Sequence, residues 1–153
     1  MVRKAGYVSA FGLIVAVVAV TTLKHRIAIG PIVLVLTAIP LVGLRLSHRS
    51  LKSALPDIVF GSLDTGLLTI PALWGGMFFG VAGAIAGGVV GDALTDGIAG
   101  FFEGGIAEWL RERGIEASRE PVTTSLGKMA GCLLGSGAVL TIALLLGIVP
   151  EFA

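Results

Sequence analysis

The chain has 153 residues, of which 55% are hydrophobic and only 14% are charged, and its formal net charge is +1. Soluble domains carry about 25% charged residues, so this composition excludes an ordinary water-soluble domain. The near-neutral charge and the lack of a basic patch interleaved with aromatic residues argue against a nucleic-acid partner. A single cysteine excludes a disulfide framework and a cysteine-rich zinc site. The composition therefore predicts a small polytopic membrane protein that is surrounded by membrane lipid.

Five continuously apolar segments are long enough to cross a bilayer as helices, since a span needs about 20 residues. Transmembrane β-strands would alternate polar and apolar residues over about ten positions, and these segments do not. The segments cover residues 5–23, 27–46, 57–78, 81–102 and 129–149. The sequence thus predicts an all-α integral membrane protein with about five transmembrane helices.

We expect a single membrane domain over residues 1–153, with four parts that differ in composition. The parts are a helical hairpin (1–50), a Gly- and Asp-rich helix pair (53–105), a short amphipathic interfacial helix (106–126) and the last span (127–153). Pro71 and the pair Gly75-Gly76 predict a kink in the third span.

Basic residues mark three regions that five spans would place on the same side of the membrane. These regions contain Arg3 and Lys4, then Arg45, Arg49 and Lys52, then Arg111, Arg113, Arg119 and Lys128. The positive-inside rule then predicts that the N-terminus is inside and the C-terminus outside. Lys24 and Arg26 oppose this orientation, which a tight first hairpin would tolerate. We expect the cell membrane of a prokaryote.

Three aspartates lie inside the predicted spans, Asp64, Asp92 and Asp96, and no Lys or Arg within the same spans neutralises them. An ionisable residue at the centre of a membrane helix costs about 2.5–3.5 kcal/mol and is a functional hypothesis by default. Buried carboxylates without a counter-charge hold protons, which a cation can displace. This chemistry is the basis of cation/proton exchange.

The spacing of the acids strengthens this hypothesis. Asp92 and Asp96 are four residues apart and share a helix face with Glu103. Asp64 and Asp96 each lie seven residues from the inner end of their span, so we expect them at the same depth. If the two helices pack together, they form a two-carboxylate site of the kind that suits hard divalent cations. The alternative is that these acids serve helix packing, with hydrogen bonds to neighbouring threonines or to the backbone.

A charged segment follows the fourth span and repeats an acid every four residues. Its acids are Glu108, Glu112, Glu116 and Glu120. One interpretation is an acidic ridge that collects cations at the inner surface. The other, which is the commoner role of such runs, is a solvated face with pairs such as Glu108 with Arg111.

Residues 57–105 resemble the first two helices of the vacuolar iron transporter family. In the first helix the family pattern is matched by Val59, Phe60, Gly61, Asp64 and Thr69, and in the second by Asp96, Gly97 and Glu103. The resemblance implies a homodimer that exchanges ferrous or other divalent metal for protons. It also implies that Asp64 is the in-membrane ligand, that Glu103 lies near the inner mouth, and that Glu108, Glu112 and Glu116 form a shortened metal-gathering region.

The sequence therefore predicts a small transporter of a divalent metal cation, with Asp64, Asp92, Asp96, Glu103, Glu108 and Glu112 as candidate metal ligands. It predicts no enzyme activity and no cofactor apart from the transported ion. The alternative is a non-transporting scaffold or assembly subunit, because several G-x-x-x-G patterns permit close helix packing. A CDP-alcohol phosphotransferase is rejected because Asp92 and Asp96 are not followed by the second D-x-x-x-D of that family.

Overall fold

The structure, a computed structural model, describes residues 2–23, 28–115 and 120–148, without the side chains of residues 23, 99–103 and 107. These residues are almost entirely helical and contain no strand. The helices are α1 (Val2–Leu23), α2 (Ile29–Leu36), α3 (Ala38–Leu46), α4 (Leu51–Glu112) and α5 (Pro121–Leu145). The prediction of an all-α protein is confirmed over this part of the chain.

Four helical segments are long and apolar enough to cross a membrane. They are Val2–Thr22, Ile29–Leu46, Leu51–Ile98 and Pro121–Leu145. Large apolar side chains on all four are exposed, among them Val17, Val35, Ile70 and Ile142. Such an outer surface is compatible with an integral membrane protein, because lipid tails are as apolar as these side chains.

Helix α4 reverses its direction at Gly80, where φ is 62° and ψ is −149°. Only glycine adopts this backbone conformation without strain. The reversal divides α4 into a first arm, residues 51–79, and a second arm, residues 81–112. A Cβ atom on Gly83 would overlap the carbonyl oxygen of Gly75, and one on Gly87 would overlap that of Pro71. The two arms therefore pack antiparallel with their backbones in close contact.

Both arms are longer than the predicted spans 57–78 and 81–102. The first begins at Leu51, where the Ser50 side chain accepts a hydrogen bond from the Lys52 N–H at 3.2 Å. Pro71, Gly75 and Gly76 keep helical dihedral angles, and Gly80 is the position with non-helical dihedral angles inside α4. The helix is therefore interrupted at Gly80, and the kink expected at Pro71 and Gly75-Gly76 stays a prediction.

The predicted interfacial helix over residues 106–126 is not a separate element in the described part of the chain. Residues 106–112 continue the second arm, and residues 121–126 already belong to α5. The second arm ends at Glu112. Just beyond it, the φ of 70° at Gly114 allows the N–H groups of Gly114 and Ile115 to bond the carbonyls of Arg111 and Leu110. Hydrophobicity alone missed this boundary because the last two turns of α4 are charged yet helical.

The predicted second span, 27–46, is interrupted at Thr37 between α2 and α3. Pro40 has no N–H, and its ring conflicts with the carbonyl of Leu36 one turn earlier. At the interruption, the Thr37 N–H donates its hydrogen bond to the carbonyl of Leu34, three residues earlier, which is a tighter turn than that of an α-helix. Together the two short helices still form one segment, Ile29–Leu46, that is long and apolar enough to cross a membrane.

Helix α5 lies at the centre of the bundle, where glycines let it approach its neighbours at the backbone. The closest approaches pair Gly131 with Ile58, Gly135 with Ser62, and Gly137 with Leu34. Because the first two pairs advance together by four residues, α5 and the first arm run parallel. One face of α5 therefore packs on α4 and another on α2.

We call the end of the bundle where α1, α4 and α5 begin the basic end. The carboxylate of Glu120 there lies within 4 Å of both Lys4 and Arg49. Beneath it is a small apolar core of Leu44, Ala54, Val122 and Leu126. Basic residues that the sequence places on one side of the membrane thus meet at one end of the fold.

Candidate functional site

A groove of about 620 Å³ lies between the two arms of α4 and helix α5. Most of its lining is apolar, such as Leu68, Ala84 and Val89. Four lining residues are polar: Thr65, Thr69, Asp92 and Ser136. All of them lie inside segments that are long and apolar enough to cross a membrane. The groove therefore gathers polar groups where the surroundings are otherwise apolar.

The hydroxyl groups in the groove join the first arm to α5. Thr69 donates a hydrogen bond to the carbonyl oxygen of Thr65 at 2.6 Å and shares a hydrogen bond of 3.0 Å with the hydroxyl of Ser136. Gly66 lies directly against Gly135, so the two helices come close enough for short side chains to reach each other. This arrangement leaves hydroxyl oxygens along one wall of the groove.

Asp92 supplies the carboxylate of the groove from the second arm. Its side chain is exposed, and its main-chain carbonyl accepts a hydrogen bond from the buried Thr95 hydroxyl at 3.1 Å. Asp96 follows one helical turn later and is also exposed. Because the second arm is an uninterrupted helix here, the two carboxylates share one face, as their spacing predicts.

Asp64 lies on the first arm and is not itself among the residues that line the groove. Gly91 of the second arm contacts Leu68 and Pro71, which follow Asp64 by one and two turns on the same helix face. Because the arms are antiparallel, one turn before Leu68 lies opposite one turn after Gly91. Asp64 is therefore level with Thr95, the residue next to Asp96. This register agrees with equal depths for Asp64 and Asp96, whose joint site stays a prediction.

The Oδ1 atom of Asp64 is buried and has no hydrogen-bond partner within the described part of the chain. A buried hydrogen-bond acceptor without a partner costs free energy of folding. We therefore expect this oxygen to bind a proton, an ion or a water molecule. The described residues do not contain a group of three or more His, Cys, Asp or Glu side chains placed to hold a metal ion. The three aspartates are thus distributed over two arms and do not form one cluster.

The remaining predicted ligands lie toward the basic end. The backbone of Glu103 is helical, and its side chain lies outside the described part; Glu116 lies outside it altogether. Glu108 and Glu112 are exposed on the last turns of α4. Among the described side chains, the expected ion pair of Glu108 with Arg111 is not formed. At about 100° per residue, both glutamates are rotated by more than about 100° around the helix axis from Asp92 and Asp96, so they do not share the face of those aspartates.

Sequence reasoning missed two features of this region. It did not assign Ser136 to a site, because a serine in an apolar span has no local signal for its partners. It also treated Glu120 as one acid of a charge run, although the following Pro121 is the usual first residue of a helix and marks Glu120 as an N-cap.

No model of a known family, no curated protein and no solved structure matches this chain. The resemblance of residues 57–105 to the vacuolar iron transporter family therefore stays an expectation. The function is argued below from the geometry of the groove and its acids.

Proposed function

We propose that this protein is a small membrane transporter, which moves a divalent metal cation in exchange for protons at carboxylates within its apolar helices. The observation that carries the proposal is the groove whose lining contains Asp92 together with the hydroxyl-bearing residues Thr65, Thr69 and Ser136. Carboxylate and hydroxyl oxygens are suitable ligands for hard divalent cations. An aspartate in an apolar span is costly unless a proton or cation neutralises it.

Charge balance determines the exchange in this proposal. If Asp92 and Asp64 or Asp96 each carry a proton, a divalent cation that displaces two protons leaves the charge within the membrane unchanged. Release of the cation on the other side requires that two protons return. The unpaired Oδ1 of Asp64 supports a role as one of the proton carriers.

The proposal includes a topology of five crossings. The first arm has 29 residues by its bounds and rises about 40 Å at 1.5 Å per residue, which is enough to cross a hydrocarbon core of about 30 Å. The reversal at Gly80 then returns the chain through the second arm. By the positive-inside rule the basic end faces the interior, and Glu103, Glu108 and Glu112 stand at the inner entrance. We propose a homodimer in the cell membrane of a prokaryote.

A non-transporting scaffold or assembly subunit is the second candidate. Two observations favour it. The described residues contain no preformed group of three metal-binding side chains. The glycines at Gly83, Gly87 and Gly131 form close contacts within the chain, so packing alone accounts for them.

The test is metal uptake into liposomes that contain the purified protein and a pH-sensitive dye in the lumen. Fe²⁺, Mn²⁺, Co²⁺, Zn²⁺ and Mg²⁺ are compared, for the wild type and for Asp92→Asn, Asp64→Asn and Asp96→Asn. We expect uptake of at least one ion with alkalinisation of the lumen as protons leave, and a loss of at least about tenfold in Asp92→Asn.

The control is Arg45→Gln, which removes an exposed charge at the basic end and should transport like the wild type. Asp92→Glu, which keeps the carboxylate, should retain part of the flux. Absence of flux for every ion, from protein that is folded in the liposomes, would refute the transporter and favour the scaffold.

A further inference from the structure

A second cavity, of about 370 Å³, lies at the basic end between the start and the end of helix α4. The reversal at Gly80 brings these two ends of one helix together. The cavity is lined by Ser50, Lys52, Ser53, Arg111, Gly114 and Ile115. It shares no residue with the groove of the proposed transport site.

Both charged residues of this lining are cations, one from each end of α4. Neither Lys52 nor Arg111 pairs with a carboxylate among the described residues, and both are exposed. Three neighbouring cations at the basic end have partners, since Lys4 and Arg49 pair with Glu120 and Arg113 stacks over the Trp109 ring at 3.8 Å, whereas Arg3 and Arg45 are exposed and do not line the cavity. Lys52 and Arg111 therefore concentrate uncompensated positive charge around one cavity.

The main-chain carbonyls next to the cavity are already used as acceptors. The Ser50 carbonyl accepts from the Ser53 hydroxyl at 2.9 Å and from the Ala54 N–H at 3.3 Å. The Arg111 carbonyl accepts from the Gly114 N–H at 2.8 Å. The first turn of α4 brings the positive end of one helix dipole to the cavity and its last turn brings the negative end of another, so the positive charge comes from Lys52 and Arg111. The cavity thus offers hydrogen-bond donors and positive charge to a ligand, which suits an anion with several acceptor oxygens.

The position of the cavity indicates where that anion comes from. The apolar crossing of α4 begins at Leu51, between the lining residues Ser50 and Lys52. If α4 crosses a membrane as we propose, the cavity lies near the boundary between the apolar segment and water, where the phosphate groups of lipids lie. Basic residues just outside a membrane span attract anionic lipids, by about 1 kcal/mol for each Lys or Arg near the surface.

We propose that this cavity, the α4 end pocket, binds the phosphate group of an anionic phospholipid through Lys52 and Arg111. This binding site is independent of the proposed transport activity. A phosphate bound there would bridge the two ends of α4, because Lys52 belongs to its first turn and Arg111 to its last.

The test uses the delipidated full-length protein in a neutral detergent, with lipid binding measured by native mass spectrometry. Phosphatidylglycerol is titrated against phosphatidylcholine with the same acyl chains. The wild type is compared with the double variant Lys52→Gln/Arg111→Gln. The matched control is Arg3→Gln/Arg45→Gln, which removes two exposed cations from the same end outside the cavity.

We expect the wild type to bind phosphatidylglycerol more tightly than phosphatidylcholine. The pocket variant should lose affinity for phosphatidylglycerol by about 20-fold, since each cation contributes about fivefold. The control should lose less than about threefold. Should the double variant unfold, each single variant should still lose about fivefold.

Three results would overturn the proposal. One is equal affinity of the wild type for the two lipids. Another is an equal loss in the pocket variant and in the control. The third is binding of inorganic phosphate as tight as that of phosphatidylglycerol, which would assign the cavity to a soluble anion.

Discussion

The ammonium nitrogen of Lys4 lies 2.7 Å from the carboxylate Oε1 of Glu120, which joins the start of α1 to the start of α5. Arg49 reaches the same oxygen at 3.4 Å from the segment between α3 and α4. The other oxygen of Glu120 accepts the Thr123 N–H at 3.0 Å and caps α5. One side chain thus connects three segments that are distant in the sequence.

Removal of this carboxylate should destabilise the bundle. Glu120→Ala loses the helix cap and both ion pairs, and we expect a loss of about 1–3 kcal/mol in the free energy of unfolding. Glu120→Gln should lose less, because its amide oxygen can still accept the Thr123 N–H. Thermal unfolding in detergent, followed by circular dichroism, measures both. Glu112→Gln, at an exposed position, is the control and should melt like the wild type; equal melting of all four proteins would contradict the role of Glu120.

The stability contributed by Glu120 should depend on pH in the acid range. Desolvation by burial raises its pKa, but hydrogen bonds from Lys4 and Thr123 and the charge of Arg49 outweigh this effect and lower the pKa from 4.5 to about 2. Since the carboxylate is more acidic in the folded protein, its contribution is complete above pH 4.5 and is lost as the pH falls toward 2. The difference in melting temperature between wild type and Glu120→Gln should therefore shrink from pH 5 to pH 2. A constant difference over this range would disprove the assignment.

A side chain at Gly87 should separate the two arms of α4. A Cβ atom there would overlap the carbonyl oxygen of Pro71, so Gly87→Ala should cost about 1–3 kcal/mol. Gly97→Ala is the matched control on the same arm, since no atom lies within 4 Å of its Cβ position. The control should be neutral or more stable by up to about 1 kcal/mol because alanine favours the helix. Unfolding curves of the two variants measure this difference in the free energy of unfolding. A loss of stability in Gly97→Ala as large as that in Gly87→Ala would refute the importance of the Gly87 contact.

His48 occupies a position that favours glycine. Its φ is 54°, and the N–H groups of His48 and Arg49 close the end of α3 on the carbonyls of Arg45 and Leu44. A residue with a Cβ is strained in this left-handed conformation by about 1 kcal/mol. His48→Gly should therefore raise the melting temperature by a few degrees. His48→Ala retains the Cβ atom and should leave the melting temperature unchanged. If alanine stabilises the protein as much as glycine does, the imidazole and not the backbone conformation is the source of the strain.

Much of the fold could be predicted because it depends on local chemistry. The apolar segments around α1, α4 and α5 predict helices, since a membrane requires each span to satisfy its own backbone hydrogen bonds. The reversal at Gly80 coincides with the gap between two predicted spans. The sequence pattern did not predict the helix boundaries at Thr37 and before Pro121. Each boundary depends on a single proline or a helix cap, within a stretch of sequence whose helical pattern otherwise continues.

The candidate site could be predicted only in part. The shared face of Asp92 and Asp96 follows from the helical period, and the structure retains it. The placement of Asp92 in the groove and of Asp64 against the second arm could not be predicted. Both depend on how each helix is rotated about its axis, and the glycine contacts with Pro71 and Ile58 set that rotation.

Composition, periodicity and charge were thus sufficient for an all-α protein compatible with a membrane, with its basic residues gathered toward one end. The tertiary structure alone decided that Asp92 and Ser136 line one groove, that Lys52 and Arg111 share a pocket, and that Glu120 joins Lys4 to Arg49. The physical reason is that a residue's helix and face are local properties of the chain. Its partners on other helices depend on where and at what rotation the helices pack against each other. The close glycine contacts throughout the bundle determine that packing jointly.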